Sequence, residues 1–216
     1  LKFAKLKNKI VVIASTSEAY GKSNKFPFNE DDDLVLGSTK HARWSYAASK
    51  IVDEFLGLAY HQKYGLPVII TRFFNTVGPR QVGEYGMVVP RFIKWALNNE
   101  DIKVYGDGDQ SRCFCNVRDV VRALIEIPNH KECFGKVFNI GSQQEITIED
   151  LAKKTIELTG SSSKIVKIPY DQAYTKDFED MKRRVPDTSR IKNAIGWEQK
   201  ITIDDTLKEI VDWMKK

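Results

Sequence analysis

Apolar positions fall into two kinds of segment. Lys9–Ser15 (KIVVIAS), Val68–Phe74 (VIITRFF) and Lys136–Ile140 (KVFNI) are short, continuous, mostly β-branched runs. Such runs read as strands of a parallel sheet buried on both faces. Between the first two, Arg43–Tyr64 changes to a helical period. There Trp44, Ala47, Ala48, Ile51, Val52, Phe55, Leu58 and Ala59 form one broad apolar stripe, which leaves Tyr46 and Lys50 to one side. Gly65 is a suitable helix stop, with Pro67 beyond it. Strand, long helix, strand predicts a βαβ unit.

Downstream, the pattern predicts helices over Val88–Asn98, Val117–Ile127, Ile148–Leu158, Thr188–Ile195 and Ile203–Met214. Thr147 is placed to cap the third of these, and Gly160 to close it. Strands are expected at Ile102–Tyr105, Ser111–Asn116 and Lys164–Ile168, the second with Arg112 and Phe114 on one face. Gln81–Gly86 reads as a glycine-rich loop and Asp171–Lys182 as polar and irregular. The fold class is α/β.

Composition narrows the classes of function. Of the 216 residues, 42% are hydrophobic and 29% charged, as in an ordinary globular protein. The net charge of +5 is modest and its lysines and arginines are scattered, so no nucleic-acid stripe is expected. No run is long enough for a membrane span. Cys113, Cys115 and Cys133 form neither a disulfide framework nor a zinc knuckle, which predicts reduced thiols and a cytoplasmic protein.

Candidate chemistry starts with Tyr46-x-x-x-Lys50. Residues four apart on a helix share a face, so a phenol and an ammonium can meet one ligand. Alone, the spacing is a weak signal that more often describes a surface pair on a solvated helix. Thr16-Ser17-Glu18 and Asn75–Arg80 leave the ends of the first two strands. Open α/β sheets place ligands at such ends, although a polar turn reads the same locally.

Further motifs carry a resemblance. Ser15-Thr16-Ser17-Glu18-Ala19-Tyr20-Gly21, Tyr46-x-x-x-Lys50, Arg72–Arg80, Val104–Gly108, Gln110-Ser111-Arg112, Phe138–Gly141 and Arg184-Val185-Pro186-Asp187 occur in one order. In that order the chain resembles the extended short-chain dehydrogenase/reductase family, in its NAD-dependent nucleotide-sugar epimerase/dehydratase branch. The resemblance implies the C-terminal part of a Rossmann-like parallel sheet with flanking helices, plus a smaller α+β substrate-binding domain. Residues 1–80 and 117–142 would form the first, and 81–116 and 143–216 the second.

The resemblance also implies roles. Tyr46 would be the base, Lys50 would hold the nicotinamide ribose of NAD and lower the Tyr46 pKa, and Thr16 would share the reacting oxygen. Phe74 would lie at the nicotinamide end. Asn75, Tyr105, Arg112 and Arg184 would contact a UDP-sugar, although the two arginines also read as surface ion pairs. Family members commonly form homodimers through the tyrosine-bearing helix.

The reaction is less determined. Ser17-Glu18 stands where dehydratases carry Asp-Glu, which disfavours dehydration. Thr-Ser-Glu matches UDP-glucuronate decarboxylases, in which the glutamate (Glu18 here) and an arginine at the position of Arg184 assist carboxylate loss. The loops around Gln81–Met87 and Arg91 look more like 4-epimerases, so a UDP-hexose or UDP-uronate 4-epimerase is the first expectation and decarboxylation the second.

No Gly-x-x-Gly-x-x-Gly turn occurs in these residues, so the pyrophosphate site expected for NAD is absent. That points to a fragment, inactive by itself and with an uncovered sheet edge. The alternatives are a non-catalytic nucleotide-sugar-binding or dimerising module, and a protein-interaction domain.

Overall fold

The computed structural model describes residues 1–84, 87–170, 181 and 183–216. It opens with a short helix the sequence pattern did not suggest, α1 (Lys2–Leu6), followed by β1 (Val11–Thr16). A 3-10 turn at Ser17–Tyr20 leads through a long irregular segment to α2 (Arg43–Tyr64), then β2 (Val68–Phe73) and β3 (Thr76–Val77). Next come α3 (Val88–Leu97), β4 (Ile102–Tyr105), β5 (Ser111–Cys113), β6 (Cys115–Asn116) and α4 (Val117–Glu126). The chain ends through β7 (Lys136–Ile140), β8 (Glu145–Thr147), α5 (Ile148–Thr159), β9 (Ile165–Ile168), α6 (Ser189–Ile195) and α7 (Ile203–Met214). The expectation for 171–182 falls almost wholly outside the described residues, as does the end of the 81–86 loop.

The three apolar runs form one parallel sheet in the order β1-β2-β7, with Val11 opposite Val68 and Ile69 opposite Lys136. β2 is central and nearly all buried. Among the described residues β1 is paired on one side only, and its first residues are half-buried, not fully covered as the run suggested. The predicted single strand 111–116 is two strands: β5 pairs antiparallel with β8, and β6 parallel with β3. Phe114 is the residue between them, so the chain changes partners there. β4 and β9 make a separate parallel pair.

Two of the hydrophobic clusters matter for the site. One lies under the main sheet and includes Ile69, Phe138, Ile140 and Trp197. The other joins α3, α5, α7 and β4 through Phe92, Ile93, Leu151 and Ile210. α5 begins as expected: the Thr147 hydroxyl accepts the Asp150 N–H at 3.0 Å, satisfying one orphan donor of the first turn. Gly65 ends α2 at φ 66°, left-handed backbone that glycine adopts without a Cβ penalty.

The apolar stripe expected on α2 matches its buried face only in part, at Trp44 and Ala47. Val52 and Phe55 are 54% and 69% exposed, Ala59 is exposed, and the buried residues are Trp44, Ala47, Glu54 and Gly57. Two contacts explain the rotation. A Cβ on Gly57 would stand 2.5 Å from Ile13 Cδ1, so the missing side chain lets the helix approach the sheet. Glu54 finds a buried cation in Arg72, at 2.7 Å, which makes a charged residue acceptable in the interface.

Cys113, Cys115 and Cys133 are free and buried. Burial pushes the Cys113 and Cys115 thiols up to about 12.

Candidate active site

A cavity of about 620 Å³ opens beyond the C-terminal ends of β1 and β2. That is the size of a cofactor or substrate site, and in the position open α/β sheets use. Glu18, Tyr46, Asn75, Tyr105, Arg112 and Arg184 all line it, although they come from segments more than 150 residues apart. Phe114 lines it beside Arg112, as their expected shared face requires.

Tyr46 projects from the first turns of α2 and is 53% exposed. One turn on, the Lys50 ammonium lies 3.4 Å from the exposed Asp53 carboxylate. Thr16 ends β1 and caps the following turn, its hydroxyl accepting the Glu18 N–H at 3.2 Å. Neither Thr16 nor Lys50 lines the cavity, whereas Glu18 and Tyr46, two residues and one helical turn away in sequence, do. Phe74 is fully buried and does not line the cavity; it packs with Tyr20 and Phe28 at ring separations of 6.1 and 6.5 Å. The second tyrosine near the strand ends, Tyr20, is unsuited to act as a base. Burial pushes its phenol up to about 12, against the lowering effect of Arg72, and its hydroxyl donates to Asn139 Oδ1 at 2.7 Å.

Charge is concentrated around Glu18. One carboxylate oxygen accepts from Arg184 Nη2 at 2.6 Å, the other from Arg43 Nη2 at 3.0 Å. Burial acts to raise this carboxyl, but the guanidiniums of Arg184 and Arg43 outweigh it and hold the group below the ordinary carboxylate range. Arg43 was missed in the sequence motifs. Its signal was its place three residues before Tyr46, one turn away on the same helical face. Arg184 is held in place because Phe28 N–H donates to the Val185 carbonyl at 2.8 Å and Asp187 N–H to that of Phe28 at 2.8 Å.

At the other end, Arg91 Nη2 donates to the Tyr105 hydroxyl at 2.8 Å, and Lys103 and Arg112 line the wall. Among the described residues, Arg43, Arg91, Lys103, Arg112 and Arg184 thus face the cavity against one carboxylate, that of Glu18. Such a surplus of fixed cations suits a polyanionic ligand. Two amide oxygens in the lining, Oε1 of Gln81 and of Gln110, are buried without a hydrogen-bond partner. They suit ligand donors, since a buried acceptor left unpaired is costly. Among the described residues no group of side chains could hold a metal ion.

The donor set at Tyr46 and Lys50, a phenol and an ammonium one turn apart beside a strand end, fits the hydroxyls of a nicotinamide ribose. No helix in the described residues is long and apolar enough to cross a membrane.

Comparison with known proteins bears on the family and the fold. Residues 1–210 match the family described as GDP-mannose 4,6 dehydratase. UDP-N-acetyl-alpha-D-glucosaminuronate decarboxylase of Bacillus cytotoxicus is 44% identical over 209 residues, covering 96% of this chain and 64% of that protein. UDP-glucuronate 4-epimerase of Thermodesulfobacterium geofontis is 32% identical, covering 96% and 60%. Among solved structures, UDP-glucose 4-epimerase of Thermotoga maritima with UDP-glucose superposes with a TM-score of 0.86 at 29% identity, covering 99% of this chain and 66% of that one. The chain therefore spans less than two thirds of the length of these curated relatives. It belongs to the GDP-mannose 4,6 dehydratase family of extended short-chain dehydrogenases/reductases, a Rossmann-fold group of NAD-dependent nucleotide-sugar epimerases, dehydratases and decarboxylases.

Proposed function

We propose that the protein acts on a UDP-uronate with NAD as cofactor, and that decarboxylation is the reaction its site supports best. The observation that carries this reading is the pair of guanidiniums, Arg43 and Arg184, bracketing Glu18 on the cavity wall that holds Tyr46. A sugar carboxylate adds negative charge at the sugar end, and these cations are placed to receive it. A neutral hexose brings no second charge to these cations, which then keep Glu18 as their anion. The 44% identity to a uronate decarboxylase supports the same order.

When bound, NAD supplies a hydride acceptor for the sugar. Tyr46 takes the proton of the sugar hydroxyl, Lys50 holds the ribose beside it, and Thr16 shares the hydrogen bond to the reacting oxygen. A carboxylate on the carbon flanking the new ketone then leaves as carbon dioxide, its bonding pair passing into an enolate that takes up a proton at that carbon; the ketone then regains the hydride, with Tyr46 returning the hydroxyl proton. Arg184 and Glu18 stand beside that position, and Arg43 orients the carboxylate before it leaves. Arg91, Lys103 and Arg112 take the diphosphate, with arginine forks bonding its oxygens in pairs.

The second reading is 4-epimerisation of a UDP-hexose or UDP-uronate, favoured by the UDP-glucuronate 4-epimerase likeness over 96% of the chain. The proposed division is into a cofactor part, 1–80 and 117–142, and a substrate part, 81–116 and 143–216, although the cluster under the main sheet also takes in Cys115, Ile191 and Trp197. The exposed Val52, Phe55 and Leu56 on α2 fit a homodimer contact.

Incubating the full-length protein with UDP-glucose, UDP-galactose, UDP-glucuronate and UDP-N-acetylglucosaminuronate tests the proposal. Carbon dioxide and a decarboxylated sugar nucleotide from a uronate are expected. A C4 epimer formed without carbon dioxide replaces this reading with the second. A protein that binds sugar nucleotides but neither NAD nor NADH would be a binding module.

A further inference from the structure

Arg72 stands in the central strand of the parallel sheet, 4% exposed, in a run that otherwise reads Val68, Ile69, Ile70. A guanidinium there is costly unless every face of it is engaged. Its Nε and Nη2 meet the Glu54 carboxylate at 3.0 and 2.7 Å. Nη1 donates to the Glu30 carbonyl at 3.2 Å, and the Tyr20 ring lies 4.8 Å away. Glu54 also accepts the hydroxyl of Ser15. None of these groups lines the cavity.

What they join is informative. Ser15 precedes Thr16 at the end of β1, and Glu54 follows Lys50 by one turn of α2. Glu30 continues the chain of contacts: its carboxylate accepts the Asn139 N–H at 2.8 Å, and Asn139 Nδ2 donates to the Phe28 carbonyl at 2.9 Å. Phe28 is the residue that pairs with the segment carrying Arg184 through an isolated bridge to Pro186. One buried cation therefore links the supports of all the groups proposed to act on the sugar.

We propose that Arg72 and Glu54 are positioning residues: their ion pair, with Ser15, sets the height and rotation of α2 against the end of β1. That fixes Tyr46 and Lys50 relative to Thr16. The assignment rests on the reading of Tyr46 as the base. Apolar packing could hold α2 on the sheet with equal stability, because a buried ion pair seldom outperforms a well-packed apolar one. It could not fix the position as tightly. A bidentate fork is directional, whereas the close contact at Gly57 lets the helix slide. Reacting groups tolerate only about 0.5 Å of misplacement.

The test replaces the network in the full-length protein by apolar residues, combining Arg72→Met, Glu54→Leu and Ser15→Ala. The melting temperature is expected to hold, KM for the UDP-uronate to stay within about twofold and kcat to fall by roughly tenfold or more. Amide exchange at 16–18 and 43–50 should quicken while that of β2 and β7 is kept. Ser15→Ala alone, which removes one hydroxyl, should show the same split in weaker form and decides the matter if the combined variant unfolds. Wild-type kcat together with wild-type exchange at those amides overturns the proposal. If the wild-type protein turns over no nucleotide sugar, the functional reading fails and the exchange data alone judge the positioning role.

Discussion

Two of the arginine–glutamate clusters have nearly the same chemistry, yet burial has decided opposite things about them. Glu54 and Arg72 are each 5% exposed in their side chains and meet each other, the Ser15 hydroxyl, the Glu30 carbonyl and the Tyr20 ring. Glu18, 23% exposed, meets Arg43 and Arg184 on the wall of an open cavity. The deep pair is closed to ligands, and its partners are fixed by folding. The shallow one can exchange partners with an incoming anion. The same side chains serve architecture in one place and recognition in the other because of depth.

The largest effect that would sharpen this contrast is on stability. Arg72→Ala strands the Glu54 charge and should cost about 3–5 kcal/mol in a denaturant titration. Arg43→Ala should leave the midpoint nearly unchanged; a comparable loss of stability there would erase the distinction. On ligand binding the order reverses. Arg43→Ala should weaken UDP-glucuronate by about 1.5–3 kcal/mol in calorimetry, the worth of a charged hydrogen bond, and UDP-glucose far less. Equal losses for both ligands would mean that Arg43 supports the wall and does not select the sugar.

A smaller effect is expected at the edge of the deep cluster. Tyr20→Phe removes the donor to Asn139 and should destabilise by about 1–3 kcal/mol, visible as a lowered melting temperature. The smallest is the pH dependence. Glu18 is depressed in the folded protein, so its contribution is fully present above its ordinary value of 4.5 and is lost as pH falls through the lowered one. Glu30 runs the other way. Burial raises its carboxyl despite the Asn139 N–H and Arg190, so its contribution is full below 4.5 and fades as pH rises through the raised value. Comparing acid titrations of Glu18→Gln and Glu30→Gln should show opposite slopes.

Most of the architecture was legible because local rules agreed with the fold. The α2 limits and the β7 run were read as they stand, and Thr147 caps α5 as its position suggested. The buried face of α2 was legible only in part. Hydrophobic periodicity counts Glu54 as polar and Gly57 as empty, yet a partner 18 residues later makes the first acceptable in the core and close approach makes the second necessary. In the site, the motifs found Glu18, Tyr46, Asn75, Tyr105, Arg112 and Arg184, all of which line the cavity. Arg43 escaped because its meaning comes from Glu18, which lies 25 residues earlier.

The buried thiols of Cys113 and Cys115 offer a clock. Asn75, on the cavity wall, donates to the Cys113 carbonyl at 3.1 Å, and the cavity-lining Arg112 and Phe114 flank the same residue. Thiols titrating near 12 are almost wholly unreactive at neutral pH while the wall stays shut. The rate at which an alkylating reagent marks them therefore counts openings of that wall, and a ligand that seals the cavity should slow the count.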